Sequence, residues 1–389
     1  MMKQTIASNT KKNCCSCSVC SLKCPNKCIT MVEDAKGFKY PQVDEDKCSG
    51  CGLCLKVCPF LCEDNCKNSE QSDCYSLISC DEKIKSVSTS GGAFLSLAKA
   101  FLQKENSIVY GVELKDDFSV QYSAAQSYED VFKFCKSKYV KSNAEAVFYS
   151  VATDLKNDLN VMFIGTPCSV AALKKYLGKV YDKLLTVDFV CHGTPSQKSF
   201  NLYLNSRKKT VNKYIFRYNY NGTNANSLLV YDNCQEVAKP DKDSYLRAFY
   251  ANLLQMDSCF NCPWTDTHRP GDITLGDFWG IQKEDATVNA YDGVSLVLTN
   301  TSKGDELFSK ITDAEIKERL ISTAVNGNKR LKEPPVKNEK TEAFVELMNK
   351  VDFDKAVNKT IGKPQDIPLK LKIKIKLKSI LVDKLNLKI

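Results

Sequence analysis

The chain has 389 residues, is 43% hydrophobic and 26% charged, and carries a formal net charge of +9 with twenty cysteines. That length and apolar content supply a core without cross-links, which excludes a short disulfide-scaffolded secreted module. From Leu369 onward there are seven Lys and one Asp, so +6 of the charge lies in the tail and only +3 elsewhere. No basic stretch is interleaved with aromatics in a nucleic-acid-binding pattern, so no nucleic acid partner is expected. No run of eighteen apolar residues is present to cross a membrane. Residues 1–13 are polar and lack an apolar signal core. With so many cysteines, this predicts a reducing, cytoplasmic setting and metal ligation.

In chain order, Cys14, Cys17, Cys20 and Cys24-Pro25 read C-x2-C-x2-C-x3-C-P, and Cys48, Cys51, Cys54 and Cys58-Pro59 repeat the pattern. In such a doubled run three close thiolates hold one 4Fe–4S cube, and the fourth cysteine crosses to the other. The expected sets are Cys14, Cys17, Cys20 and Cys58 for one cluster, and Cys48, Cys51, Cys54 and Cys24 for the second. Zinc is the alternative for any C-x2-C pair, but zinc knuckles seldom show paired triplets followed by Cys-Pro. Between the runs, residues 29–32 and 38–43 flank a turn and predict a β-hairpin, with Gly37 supplying the permissive backbone. Residues 60–81 are dense in Asn, Ser, Asp and Glu and read as a connector.

A second unit is expected from about Glu82. Phe94, Leu97, Ala98, Phe101 and Leu102 place a helix over 91–103, followed by a strand at 107–114 and helices at 128–135 and 143–155. The fully apolar segments 160–165 and 183–190 read as buried parallel strands, with a helix at 170–177 between them. Strands at 271–276 and 295–299 follow. This order argues α/β, or α+β overall with the small module included. Cys168 and Cys191 fall at the carboxyl ends of strands, where chemistry gathers in open α/β sheets. Cys259-x2-Cys262-Pro263 adds a further C-x2-C pair.

Several phrases in order resemble the coenzyme F-420 hydrogenase/dehydrogenase beta-subunit family, and this chain most resembles its bacterial branch. They are Ser88-Thr-Ser-Gly-Gly-Ala-Phe94, Ser137-Lys-Tyr-Val140, Gly165-Thr-Pro-Cys168, Cys191-His-Gly-Thr-Pro-Ser196, Ser258-Cys-Phe-Asn-Cys262 and Asp272-Ile-Thr-Leu-Gly-Asp-Phe-Trp-Gly280. The match runs from about Cys14 to Trp279. It implies a dicluster ferredoxin module followed by an α/β flavin-binding domain that holds FAD. It also implies a third 4Fe–4S cluster on Cys168, Cys191, Cys259 and Cys262. Zinc on the same four ligands, or ordinary buried cysteines at Cys168 and Cys191, are the alternatives.

Flavin contacts are expected at Ser90, Gly91, Gly92, Lys138, Gly165, Thr166 and Asp277. The glycines at a helix start suit a pyrophosphate. A serine N-cap, a surface lysine at Lys138 and a turn carboxylate at Asp277 are the plainer readings, with Trp279 simply core. His192 is a candidate for proton transfer or for orienting its loop. Cys15, Cys28, Cys62, Cys66, Cys74, Cys80, Cys135 and Cys234 match no ligand position and read as packing or free thiols. Ser169, Lys136 and Met256-Asp257 depart from the family's usual Gln, Gly and Arg-Pro, which puts in doubt the deazaflavin as partner and the retention of flavin geometry.

The expected layout is a ferredoxin-type domain at 1–66, a connector at 67–83, family parts at 84–160 and 161–325, and a basic extension at 326–389. Alternating Leu/Ile and Lys over 369–377 suggest a strand, a membrane-surface contact or a docking segment for a partner. Together these readings predict an iron–sulfur flavoprotein oxidoreductase that relays electrons through the clusters to FAD and on to a substrate or deazaflavin-like carrier. Its partner would be a redox donor or acceptor protein. Some relatives are linked to surface-polysaccharide biosynthesis. The alternatives are an electron-transfer subunit with no substrate of its own, and a zinc-containing binding module.

Overall fold

The computed structural model describes residues 5–9, 11–62, 66–68, 72–220, 223–288 and 293–364. The Lys-rich alternation beyond Leu369 lies outside them. The ferredoxin module carries the expected hairpin, β1 (Ile29–Glu33) against β2 (Lys39–Val43), paired antiparallel from Ile29↔Val43 to Glu33↔Lys39. Gly37 takes the turn at φ +89°, a left-handed backbone that costs glycine no Cβ clash.

The large sheet contains β3 (Asp73–Ser79), β4 (Ser107–Leu114), β5 (Val120–Ala125), β6 (Asn160–Ile164) and β7 (Leu184–Phe189). A separate three-stranded antiparallel sheet follows, of β8 (Lys213–Tyr220), β9 (Thr223–Val230) and β10 (Gln235–Ala238). The chain then returns to the large sheet with β11 (Ile273–Asp277), β12 (Ser295–Thr299) and β13 (Ala314–Glu318), giving the order β13-β3-β12-β11-β7-β6-β4-β5. The neighbours β4–β6, β6–β7 and β7–β11 are parallel, and the flanking pairs are antiparallel. The parallel centre is apolar on both faces, as helices on both sides require: Val161, Met162, Phe163, Val187 and Ile273 are all fully buried. The sheet is therefore mixed rather than purely parallel.

Two expectations on layout are corrected. The stretch read as a connector contains β3, which sits between β12 and β13 in the large sheet. Its seven residues lie amid polar chain, so composition hid them, although Cys74, Leu77 and Ser79 are buried. The basic extension is also not a loose tail up to residue 364. Helices Thr341–Met348 and Phe353–Ile361 bury Phe344, Met348, Phe353 and Val357 against Tyr203, Tyr214, Phe216 and Tyr245. Among the described residues no helix is long and apolar enough to cross a membrane.

The ferredoxin module is seated on the larger body. Val19 is buried in the same cluster as Ile108, Phe148, Val170 and Leu173. Lys36 pairs with Asp257 at 2.7 Å, Asn261 donates to Asn13 at 2.8 Å, and Phe60 meets the edge of the Trp264 ring at 4.9 Å.

Candidate functional site

The doubled cysteine run folds into two cages. Burial pushes the Cys14 thiol up to about 12 and Cys58 to about 11, with the neighbouring thiol charges adding to each. Cys14 is close to Cys17 and Cys58, and Cys20 to all three, which joins the four residues of the first expected set. The other set, Cys24, Cys48, Cys51 and Cys54, lines one small cavity. Two backbone N–H groups point at its sulfurs, Ile6 to Cys54 and Gly50 to Cys48, both at 3.4 Å. Such donors tune an iron–sulfur cluster. Among the described residues no group of three or more His, Cys, Asp or Glu is set to hold a single metal ion. A single zinc needs four donors at about 2.0–2.3 Å from one point, whereas a cube takes one thiolate at each of four separated irons. The donor sets fit the cube.

The later four cysteines also converge. Cys262 is close to Cys168, Cys259 and Cys191, and Cys191 to Cys259 and Cys168. Helix Pro167–Leu177 starts three residues earlier than its apolar spacing suggests, with Pro167 in its first turn, a position where the missing N–H costs nothing. Cys168 thus projects from the helix start at the end of β6, and Cys191 from just beyond β7. The Cys259/Cys262 loop is fixed by a fully buried ion pair: Arg269 and Asp188 are 1% and 0% exposed and 2.9 Å apart. Arg269 also donates to the Trp264 carbonyl, and Asp188 accepts from the Gly271 N–H at 2.9 Å and from the Thr274 hydroxyl at 2.9 Å. Nothing in the sequence motifs singled this pair out.

Three further groups stand between the first and third cages. Cys15 is buried and hydrogen-bonded to both Cys17 and Cys168. Its thiol, with the Lys141 ammonium, holds Cys168 below the ordinary thiol range against the opposing effect of burial. Lys141 Nζ lies 3.9 Å from Cys168 Sγ. The buried Tyr40 hydroxyl has no hydrogen-bond partner among the described residues and is close to both Cys14 and Cys259. Cys28 is likewise beside a ligand, its Sγ 3.4 Å from that of Cys24. Cys62 and Cys66 sulfurs are 3.7 Å apart. Cys74 is buried in β3, Cys135 lies in the wall of the cavity described next, and Cys80 and Cys234 are exposed. The expectation of eight inert thiols therefore does not describe Cys15 and Cys28, each of which touches a cage residue.

A cavity of about 530 Å³ opens at the carboxyl ends of β6, β7 and β11, within the range of small-molecule and cofactor sites. Ser90, Gly92, Lys138, Thr166, Asp277 and His192 all line it, as does Cys191 of the third cage. Gly91 and Gly165 do not line it, and both are packing glycines: a Cβ at Gly91 would lie 2.0 Å from the Leu77 carbonyl oxygen, and one at Gly165 2.3 Å from the Tyr122 hydroxyl. Ser90 is not an N-cap, since its hydroxyl donates to the Val294 carbonyl at 2.8 Å. Helix Ala93–Phe101 begins instead at Gly92, at φ +92° and with no side-chain cap. Its positive end borders the cavity, which suits an anionic group.

Lys138 is no surface lysine. Its ammonium donates to the carbonyls of Phe134 and Cys135 at 2.8 and 2.7 Å, and burial brings its pKa down to about 7. Asp277 is paired by Arg217 Nη1 at 2.7 Å, and Arg217 also reaches the Thr89 carbonyl at 3.2 Å. Arg217 comes from β8, a strand of the unforeseen small sheet; the one signal for it was a cation inside the aromatic run Tyr214–Tyr220. Burial and the nearby Arg330 hold His192 below its ordinary value, so it is neutral at pH 7. Trp279 is not core: it is 52% exposed and forms the cavity mouth with Tyr250, 53% exposed. The cations, the open helix start and the volume fit a flavin dinucleotide.

Two cysteine cages on a hairpin module, built into a mixed α/β body, define an iron–sulfur electron-transfer protein. Residues 158–322 match the family described as the C terminus of the coenzyme F420 hydrogenase/dehydrogenase beta subunit, and residues 13–62 match the 4Fe-4S dicluster domain. The chain belongs to that beta-subunit family and carries the dicluster domain ahead of it. It is 24% identical over 336 residues to the coenzyme F420-dependent sulfite reductase of Methanocaldococcus jannaschii, covering 82% of this chain and 48% of the relative. It is 44% identical over 50 residues to the pyruvate synthase subunit PorD of Thermotoga maritima, covering 13% of this chain and 46% of the relative. The matches thus span about half the length of these curated relatives. A chain of the F420-reducing NiFe hydrogenase complex from Methanosarcina barkeri aligns with a TM-score of 0.45 at 19% identity, over 77% of this chain and 97% of that one.

Proposed function

We propose that this chain is an iron–sulfur flavoprotein oxidoreductase, with clusters on the three cysteine cages and FAD in the cavity. The observation that carries the reading is Cys191, which belongs to the third cage and is also part of the cavity wall. When bound, the clusters supply one-electron transfer and the flavin joins single electrons into pairs. The chain's own residues do the positioning. The Gly92 turn and the open helix start receive a phosphate, and Lys138 adds a cation while charged. Arg217 fixes Asp277 at the end of β11. Tyr250 and Trp279 present aromatic faces at the mouth for a flat partner. The relative's printed name supports a deazaflavin as that two-electron partner.

A second reading is an electron-transfer subunit that serves a separate enzyme. It draws on the partial coverage, since this chain matches 48% of the sulfite reductase. Anaerobic purification followed by iron and flavin analysis tests the first reading. About twelve irons and one FAD per chain are expected from three four-iron clusters. About eight irons without flavin would leave an electron carrier and overturn it.

A further inference from the structure

Electron arrival adds negative charge, and a buried cage resists that charge unless a cation or donor is placed beside it. The cations around the cavity are differently committed. Arg217 is paired with Asp277, and Lys138 is held on the carbonyls of Phe134 and Cys135. Lys141 is hydrogen-bonded to a third-cage residue, with Nζ 3.9 Å from Cys168 Sγ. Its charge also acts on Cys17 of the first cage. Its position is fixed from behind, because its backbone N–H donates to the Pro195 carbonyl at 2.7 Å, four residues beyond Cys191. Its side chain lines the cavity as well. One ammonium thus faces the first cage, the third cage and the proposed flavin site together.

We propose that Lys141 is a positioning residue of the relay, whose fixed positive charge between Cys17 and Cys168 sets the reduction potential of the third cluster. This rests on the reading that Cys168, Cys191, Cys259 and Cys262 hold a 4Fe–4S cluster. In the step it serves, one electron leaves the cluster on Cys14, Cys17, Cys20 and Cys58 and one arrives at the cluster on the later four cysteines. The donor is oxidised by one electron and the acceptor reduced by one, and Lys141 keeps its proton while no protein bond forms or breaks. The cation favours arrival, so that the third cage draws electrons off the ferredoxin module towards the cavity. Cys15 lies on the same seam, but its thiol is neutral and a hydrogen bond from it stabilises less charge than a full cation does.

The full chain and its K141Q, K141M and K141R variants, purified anaerobically, provide the test, with iron per chain and an EPR-monitored redox titration as readouts. K141Q and K141M are expected to retain wild-type iron. Their third-cluster reduction should be at least tenfold less favourable, a shift of about 59 mV to more negative potential for a one-electron couple. The second cage, on Cys24, Cys48, Cys51 and Cys54, should keep its potential, and K141R should keep the wild-type third-cluster value. Unchanged potentials in K141Q, or an equal shift of every cluster, would overturn the proposal. Loss of iron from both K141Q and K141M would do so too, by making Lys141 a structural prop. Wild-type protein with only about eight irons would instead remove the third cluster, and with it the reading on which the proposal rests.

Discussion

At Cys168 a thiol donor and an ammonium meet one sulfur, and Cys168 is correspondingly the member of the third cage held below the ordinary thiol range. The other members are pushed up by burial, Cys191 to about 12 and Cys259 to about 11. Buried thiols of that kind ionise only when a metal takes the proton's place. C168S is therefore expected to lose about four irons of twelve while the ferredoxin module keeps its eight; full iron in C168S would refute the third cage. Lys138 titrates near pH 7 because burial opposes its charge. It is charged below that pH and neutral above it, so FAD should bind more tightly at pH 6 than at pH 8. K138M should flatten that difference, as read by flavin fluorescence. The twelve expected ligands were legible because cysteine spacing is a chemical code. Cys15 and Lys141 were not, because what matters for each is a neighbour more than twenty residues away that only the fold supplies.

Helices and strands carry the site through packing as much as through loops. Gly91 precedes helix Ala93–Phe101 and touches β3 and β12, where a Cβ would strike the Leu77 carbonyl and the Ser295 amide at 2.0 and 2.6 Å. G91A should cost about 1–3 kcal/mol as an overpacked site, seen as a lower thermal midpoint, and it acts on the sheet rather than on a ligand. The Arg269–Asp188 pair is a second such device, and R269M would leave a buried carboxylate uncompensated at about 3–5 kcal/mol. Its measurable sign is loss of iron from the third cage ahead of the ferredoxin cages on warming. The apolar strands β6, β7 and β12 and the helix at 93–101 were legible from hydrophobic pattern. β3 was not, since Asp73-Cys-Tyr-Ser-Leu-Ile-Ser79 alternates weakly within polar chain and is strand only because β12 and β13 pair with it.

Across the whole molecule, the ferredoxin module and the α/β body share buried surface instead of being strung on a linker. Val19, next to the ligand Cys20, is fully buried among residues of the large body. V19D would place a charge in that shared cluster, which is costly without a partner. It should loosen the module from the body, which limited proteolysis between residues 60 and 73 would report as faster cleavage than in wild type. That seating was invisible in the sequence, where the two parts read as separate units joined by polar chain. Neither the small sheet of β8–β10 nor the helices at 341–361 carried a motif, yet together they enclose the second core and deliver Arg217 to the cavity.

The central placement of β3 has a consequence for biogenesis. β3 follows directly on the cysteine-rich module, but its partners β12 and β13 are made more than two hundred residues later. At ordinary translation rates of about 5–20 residues per second, roughly ten to forty seconds separate them. During that interval all eight cysteines of the doubled run are already outside the ribosome, while the body on which Val19 packs is still incomplete. The first two clusters thus have time to be inserted into a module whose seat does not yet exist, whereas the third must wait for Cys262. A chain stalled before Ser295 should accordingly hold iron in its ferredoxin cages while β3 remains without either neighbour.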